Sequence, residues 1–187
     1  MYFLALQMRL EIAQGQFDEA VGTVQAGFAM ARHVGEGHSF LHGLVGVGIG
    51  GSMCGQLEQF VGSPNTPNLC RALQALPRPF IDLTDRSELE GPDTRKTAHL
   101  PMNRLDRHLA ALQCVEALRL YAADEGRLPE ELGQITEVSV PDDPVMQKPF
   151  SYRRNGSDAV FEAPAPGQVT ERDAKRYAMR YELSLKE

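Results

Sequence analysis

The sequence predicts an α+β chain: a helical N-terminal unit over residues 1–83, a linker over 84–100, and a second unit over 101–187. The second unit is expected to pack one long helix on a small antiparallel sheet of about three strands. Three observations carry this. Apolar residues recur at helical spacing through the first sixty or so positions. Leu105, Leu109, Leu112, Val115 and Leu118 then form one stripe of a second, longer helical pattern. Finally, Tyr177, Met179, Tyr181, Leu183 and Leu185 alternate with polar or small residues, the two-residue period of a half-buried strand.

Residues 4–33 read as a helical hairpin. Leu4, Leu6, Met8, Leu10 and Ile12 supply the first helix, and Gly15 ends it. The second starts near Phe17, with Asp18 and Glu19 in the first turn, where negative charge suits the helix dipole. The glycine-bearing stretch 39–61 follows, then the turn cluster "GSPNTPN" at 62–68. Asn68 is placed to cap a short helix over 68–76, stopped by "PRP". "FIDL" reads as a brief extended piece, and "EGPDTRKT" lies in the linker. The long helix closes at Gly126, and Pro129 is expected to open a single turn. Asn155-Gly156 predicts a β-hairpin with a type I′ turn.

A net charge of −6 over 187 residues argues against a nucleic-acid partner, and only five of the nineteen Lys and Arg precede residue 91. Cys54, Cys70 and Cys114 are odd in number and show no C-x-x-C spacing, so neither a zinc site nor a redox pair is written there. They are expected as buried thiols. The apolar opening lacks a basic n-region and a small-residue cleavage site, unlike a secretory signal. The apolar run Leu41–Cys54 is shorter than a bilayer requires.

The candidate sites are few. Gly46, Gly48 and Gly51 in "LVGVGIGGSM" match G-x-G-x-x-G, the turn that lets backbone approach a dinucleotide's pyrophosphate. Against it, the position about twenty residues beyond Gly51 is Arg71 rather than the ribose-binding acid. Read as one helix, Leu41, Leu44, Val45, Gly48, Gly51 or Ser52, Gly55 and Gln59 make a path of mostly small residues, and a packing face is the expectation. His38 and His42, four apart, would share a helix face as a metal pair does, with Glu36 the local third ligand. Asp82, Asp85, Glu88, Glu90, Asp142 and Asp143 fall in turns and linker, and Asp143 before Pro144 is expected to shape a turn. No serine, cysteine or lysine occupies a nucleophile motif.

Two partial resemblances add to this. "AQGQFDEAVGTVQAGFAMA", residues 13–31, resembles the centre of one tetratricopeptide repeat, which implies a packing unit and a protein-binding surface. Residues 105–163 are similar to the globular domain of bacterial type II secretion pseudopilins and type IV pilins. The likeness lies in Tyr121, Gly126, Leu128 and Pro129, then Asp143, Pro144, Pro149, Phe150 and Tyr152. That resemblance implies a long helix on a small sheet. The family's assembling N-terminal helix and its acidic calcium loop have no counterpart here, so neither filament assembly nor calcium binding follows. The expected function is a non-catalytic interaction or structural module of an envelope- or secretion-associated bacterial protein, with protein partners and no cofactor. Nucleotide binding through residues 46–51 and metal binding through His38 and His42 are the alternatives.

Overall fold

A computed structural model describes residues 2–83, 92–167 and 169–185. Among these the fold is α+β, as predicted, with helices α1 (Tyr2–Ala13), α2 (Phe17–Gly35), α3 (Phe40–Gly62), α4 (Cys70–Gln74), α5 (Pro92–Glu125) and α6 (Glu171–Tyr177), and strands β1 (Ser151–Asn155), β2 (Asp158–Ala163) and β3 (Met179–Ser184). The chain divides into two compact units. One comprises Met1–Pro67 and Pro77–His108, the other Asn68–Leu76 and Leu109–Glu187. The sequence places the division at a linker over 84–100. Residues 84–91 lie outside the described residues, 92–100 are helical, and the division falls within α5. Helix α5 also runs through Pro101, whose ring removes one backbone N–H from the ladder, so the proline does not end the helix as its chemistry suggests.

In the helical unit, α1 and α2 form the expected hairpin, and Gly15 at φ +70 makes the turn that a β-carbon would oppose. The buried side of α2 is Ala20, Val24, Gly27, Phe28 and Ala31, all at helical spacing. Helix α3 lies against α2 so closely that a β-carbon on Gly46 would stand 2.5 Å from the Ala31 carbonyl oxygen and 2.7 Å from the Gly35 Cα. Phe28 meets Phe80 edge-on at 5.4 Å, and Ile81 fits against Gly35 and Gly46. The 80–83 piece forms no strand; its Phe80, Ile81 and Leu83 are core residues.

In the sheet unit, the strands follow the order β1-β2-β3, both pairs antiparallel. Asn155 pairs with Asp158, so the hairpin loop is Gly156-Ser157. Only Gly156 of these has a positive φ, +66, which makes the turn type II′ rather than the predicted type I′. Phe161 is fully buried, at 5.1 Å from Phe150 and 6.0 Å from Tyr181. The opposite face of the sheet is a lattice of opposite charges, Arg153 and Arg180 on Glu162 and Arg180 on Glu182. The single turn expected at Pro129 is a 3₁₀ turn at Leu132–Gln134.

Every residue of α5 from Leu109 to Leu118 is buried, so the predicted single stripe is a helix buried on all sides there. Its polar members are therefore satisfied individually. Gln113 donates to the Ser139 carbonyl at 2.9 Å. Glu116 accepts the Leu69 N–H at 2.6 Å and pairs with Arg119. Asn68 accepts the Cys70 N–H at 3.0 Å, but the N-cap position of the five-residue α4 is Leu69, without a side-chain cap, so Asn68 braces the turn before the helix rather than capping it as its sequence position suggested.

Candidate functional site

The glycine fingerprint lies wholly inside α3, which runs unbroken from Phe40 to Gly62. None of its glycines has a positive φ, and among the described residues no strand precedes it. Gly46, Gly48 and Gly51 are thus not arranged as a phosphate-cradling turn. Helical hydrogen bonding occupies the backbone amides that such a turn would present. The packing-face expectation needs its own correction. The glycines that allow close approach are Gly43, Gly46 and Gly50, where a β-carbon would meet Leu83, the α2 backbone and Leu105. Gly48, Gly51 and Gly55 have open space beside them. The predicted path of small residues exists, but it is turned outward by a fraction of a helical turn.

This outward line adjoins α1. Arg9 Nε donates to Gln56 Oε1 at 2.8 Å, which fixes the side of α3 that faces α1. Leu41, Val45, Gly48, Ser52 and Gly55 succeed one another in steps of three and four residues beside that contact. Leu41 is 67% exposed and Val45 46%. On α1, Ala5 and Met8 are buried, while Phe3, Leu6 and Leu10 form one stripe on the other side, exposed by 75, 62 and 57%. These five are the exposed large apolar side chains among the described residues, and all belong to the helical unit. Helix α3 is also long and apolar enough to cross a membrane, with a mean hydropathy of 1.2 over its best window, half of which is buried within the protein. The run Leu41–Cys54, too short by itself for a bilayer, is the first part of this helix.

His38 and His42 do not share a helix face. Ser39 is the N-cap of α3, so His38 lies outside the helix and His42 in its first turn. Ser39 Oγ accepts the His42 N–H at 3.3 Å and lies 2.6 Å from His42 Nδ1, a capping arrangement. Among the described residues no group of three His, Cys, Asp or Glu side chains is placed to hold a metal ion. His108 Nε2 lies 2.9 Å from Glu58 Oε1.

Of the acids, Asp143 is almost fully buried, and its Oδ1 accepts the N–H groups of Val145 and Met146 at 2.9 and 3.2 Å. It closes the loop that leads into β1, the turn-shaping role expected of it. Nearby, Tyr152 donates its hydroxyl to the Pro129 carbonyl at 2.9 Å, and Arg154 reaches Glu130 at 2.5 Å. Burial pushes the Tyr152 phenol up to about 12. Asp82 lines a cavity of about 330 Å³ with Arg32, Gly35, Glu36, Pro77, Pro79, Phe80 and Ile81. Asp85, Glu88 and Glu90 lie outside the described residues.

Sequence reasoning missed the buried acids. Asp106 accepts the Phe80 N–H at 2.8 Å, and burial holds its carboxyl above the usual range, partly offset by that bond and by Arg78. Burial does the same to Glu116, against the opposing pull of Arg119 and the Leu69 N–H. Glu11 is buried with Oε1 bonded to Gln7 and Oε2 without a partner. Both Asp106 and Glu116 hold backbone segments in place, and neither lines the cavity at the end of α2. The three cysteines are buried thiols in no disulfide, as expected. Burial raises the Cys54 thiol far above its ordinary value and the Cys70 thiol to about 11, the opposite of what a nucleophile needs.

Comparison with protein-family models, with curated proteins and with solved structures finds no match.

Proposed function

We propose that this chain is a non-catalytic interaction module, and that it docks through the outer face of its helical unit, α1 with the adjoining line of α3. The carrying observation is the location of the exposed apolar side chains. Phe3, Leu6, Leu10, Leu41 and Val45 all lie on these two helices. Scattered apolar residues on a surface mean little, whereas a stripe of them on one helix marks a surface that gains by being covered. The likeness of residues 13–31 to one tetratricopeptide repeat supports the same reading. An envelope- or secretion-associated setting is supported by the pilin-like resemblance of residues 105–163, and fold-level analogy alone carries it.

The test is a photoreactive benzophenone side chain placed at Leu6 and, as the control, at exposed Arg71 in the sheet unit. Illumination of the intact chain in its native cell should give protein crosslinks from position 6 and far fewer from position 71. Equal yields from the two positions, or none from position 6, would overturn the proposal.

A further inference from the structure

We infer that two copies of this chain join edge to edge along β3, so that their two three-stranded sheets become one. This junction belongs to the sheet unit and is independent of the docking face of the helical unit.

The backbone of this edge is open. Leu185 donates its N–H to the Ser157 carbonyl at 3.2 Å, so the odd-numbered residues of β3 turn their backbone groups toward β2. Arg180, Glu182 and Ser184 therefore turn theirs the other way, to the side where the sheet has no further strand. Among the described residues no other backbone group bonds to them. Natural edges are commonly closed by a proline, a bulge, a lone lysine or a covering segment. Met179–Ser184 pairs with β2 without a bulge and includes neither proline nor lysine. The opposite edge differs, because Tyr152 and Arg154 of β1 are tied by their side chains to Pro129 and Glu130.

The side chains select a second copy. Laid antiparallel about a two-fold axis through Tyr181, two β3 strands pair Arg180 of each with Glu182 of the other. Met179 then faces Leu183 of the second copy and Tyr181 faces its own image, all on the half-buried side of the strand. A slip of two residues in either direction sets Glu182 or Arg180 against itself, and a slip of one turns backbone groups away from each other. Both charged side chains are more than half exposed and so within reach of a neighbour. Arg180 already bonds Glu162 and Glu182, which leaves the edge balanced rather than repelling. In the pair, Arg180 and Glu182 of the two copies close a ring of alternating charge that continues the lattice begun at Arg153 and Glu162. A foreign strand would have to present an acid and a base flanking one apolar residue in the reverse order, the sequence that β3 itself supplies.

The experiment is sedimentation of the whole chain from about 1 to about 500 µM, since a junction of about four backbone bonds makes a weak dimer. A concentration-dependent dimer is expected. Arg180→Glu and Glu182→Arg should each weaken it at least about tenfold, by setting like charges against each other. Mixed in equal amounts, the two variants should recover the association of the unaltered chain, because each then meets the opposite charge at both positions. Glu182→Pro tests the backbone. It removes an N–H on the open edge, where proline leaves the β2 pairing intact, and should also weaken the dimer at least about tenfold. Circular dichroism checks the fold of each variant, and should Arg180→Glu fail to fold, Glu182→Pro decides alone. A chain that stays monomeric at the top concentration overturns the inference and leaves the edge to an extended segment of another protein. A dimer indifferent to Glu182→Pro overturns it as well, as do folded charge variants that fail to associate when mixed.

Discussion

Alanine placed in turn at Gly46, Gly48 and Gly51 should split the three fingerprint positions by sign. Each change raises helix propensity, and in an exposed helix that is worth up to about 1 kcal/mol. At Gly48 and Gly51 nothing stands within 4 Å of the new β-carbon, so the gain should survive as about 0.5–1 kcal/mol of added stability. At Gly46 the new atom would sit 2.5 Å from the Ala31 oxygen and 2.7 Å from the Gly35 Cα. Both obstacles are backbone, so α2 and α3 must part by most of an ångström, and no rotamer change relieves the clash. Overpacking of this kind costs about 1–3 kcal/mol, and the spreading of the buried α2–α3 contact adds to it. The net effect at Gly46 should be a loss of about 1–2 kcal/mol. Urea unfolding, compared by midpoint at an unchanged slope, measures all three. If Gly48→Ala and Gly51→Ala destabilise as much as Gly46→Ala, the outward line of α3 is packed against something and the docking face described above does not exist. If Gly46→Ala is neutral, the close helix crossing is wrong.

Four further outcomes follow from the same physics. Tyr152→Phe should lose about 1 kcal/mol by leaving the Pro129 carbonyl without its donor, read from the same urea curves. Cys54, Cys70 and Cys114 should resist a thiol reagent at pH 8 in the folded chain and react together on unfolding, and a fast-reacting thiol would contradict their burial. The carboxyls of Asp106 and Glu116 have raised folded-state pKa values, so their contribution to stability is fully present below the unfolded carboxyl range and is lost as pH rises through the folded values. Asp106→Asn and Glu116→Gln should therefore flatten the fall in stability from about pH 4 toward neutrality, and an unchanged slope would refute this. Millimolar NAD, NADP, FAD or ATP should leave the melting temperature in place, since a site filled at about 100 times its dissociation constant would add roughly 2.7 kcal/mol.

What could be read from the sequence was whatever rests on local chemistry. Gly15, Asn68 in the turn before α4, the hairpin glycine and the alternation of β3 all act within a few residues of themselves. The roll of α3 about its axis was not readable. Its apolar and small residues surround the helix, and which glycines are buried is decided by Ala31, Leu83 and Leu105, far away in the chain. The same holds for α5, where a polar pattern of Asp106, Gln113 and Glu116 looks like a solvated side. Its partners, Phe80, Ser139 and Leu69, lie 26, 26 and 47 residues off. The sequence places residues 92–100 in a linker, whereas α5 begins at Pro92 and passes through Pro101. On α3 the sequence shows the line of Leu41, Val45, Gly48, Ser52 and Gly55 but reads it as a packing face, because nothing local tells whether such a line is covered.

The interleaving of the two units has a consequence for inheritance. Residues 68–76 leave the helical unit to join the other, residues 77–108 return, and a single helix then supplies both. No one cut separates them. Cleavage after residue 83 takes Leu105 from the helical unit, and cleavage after residue 108 leaves Leu69 and Cys70 on the wrong piece. A gene fragment encoding either unit alone would therefore specify a chain with part of its interior missing. Recombination can transmit the two units only together.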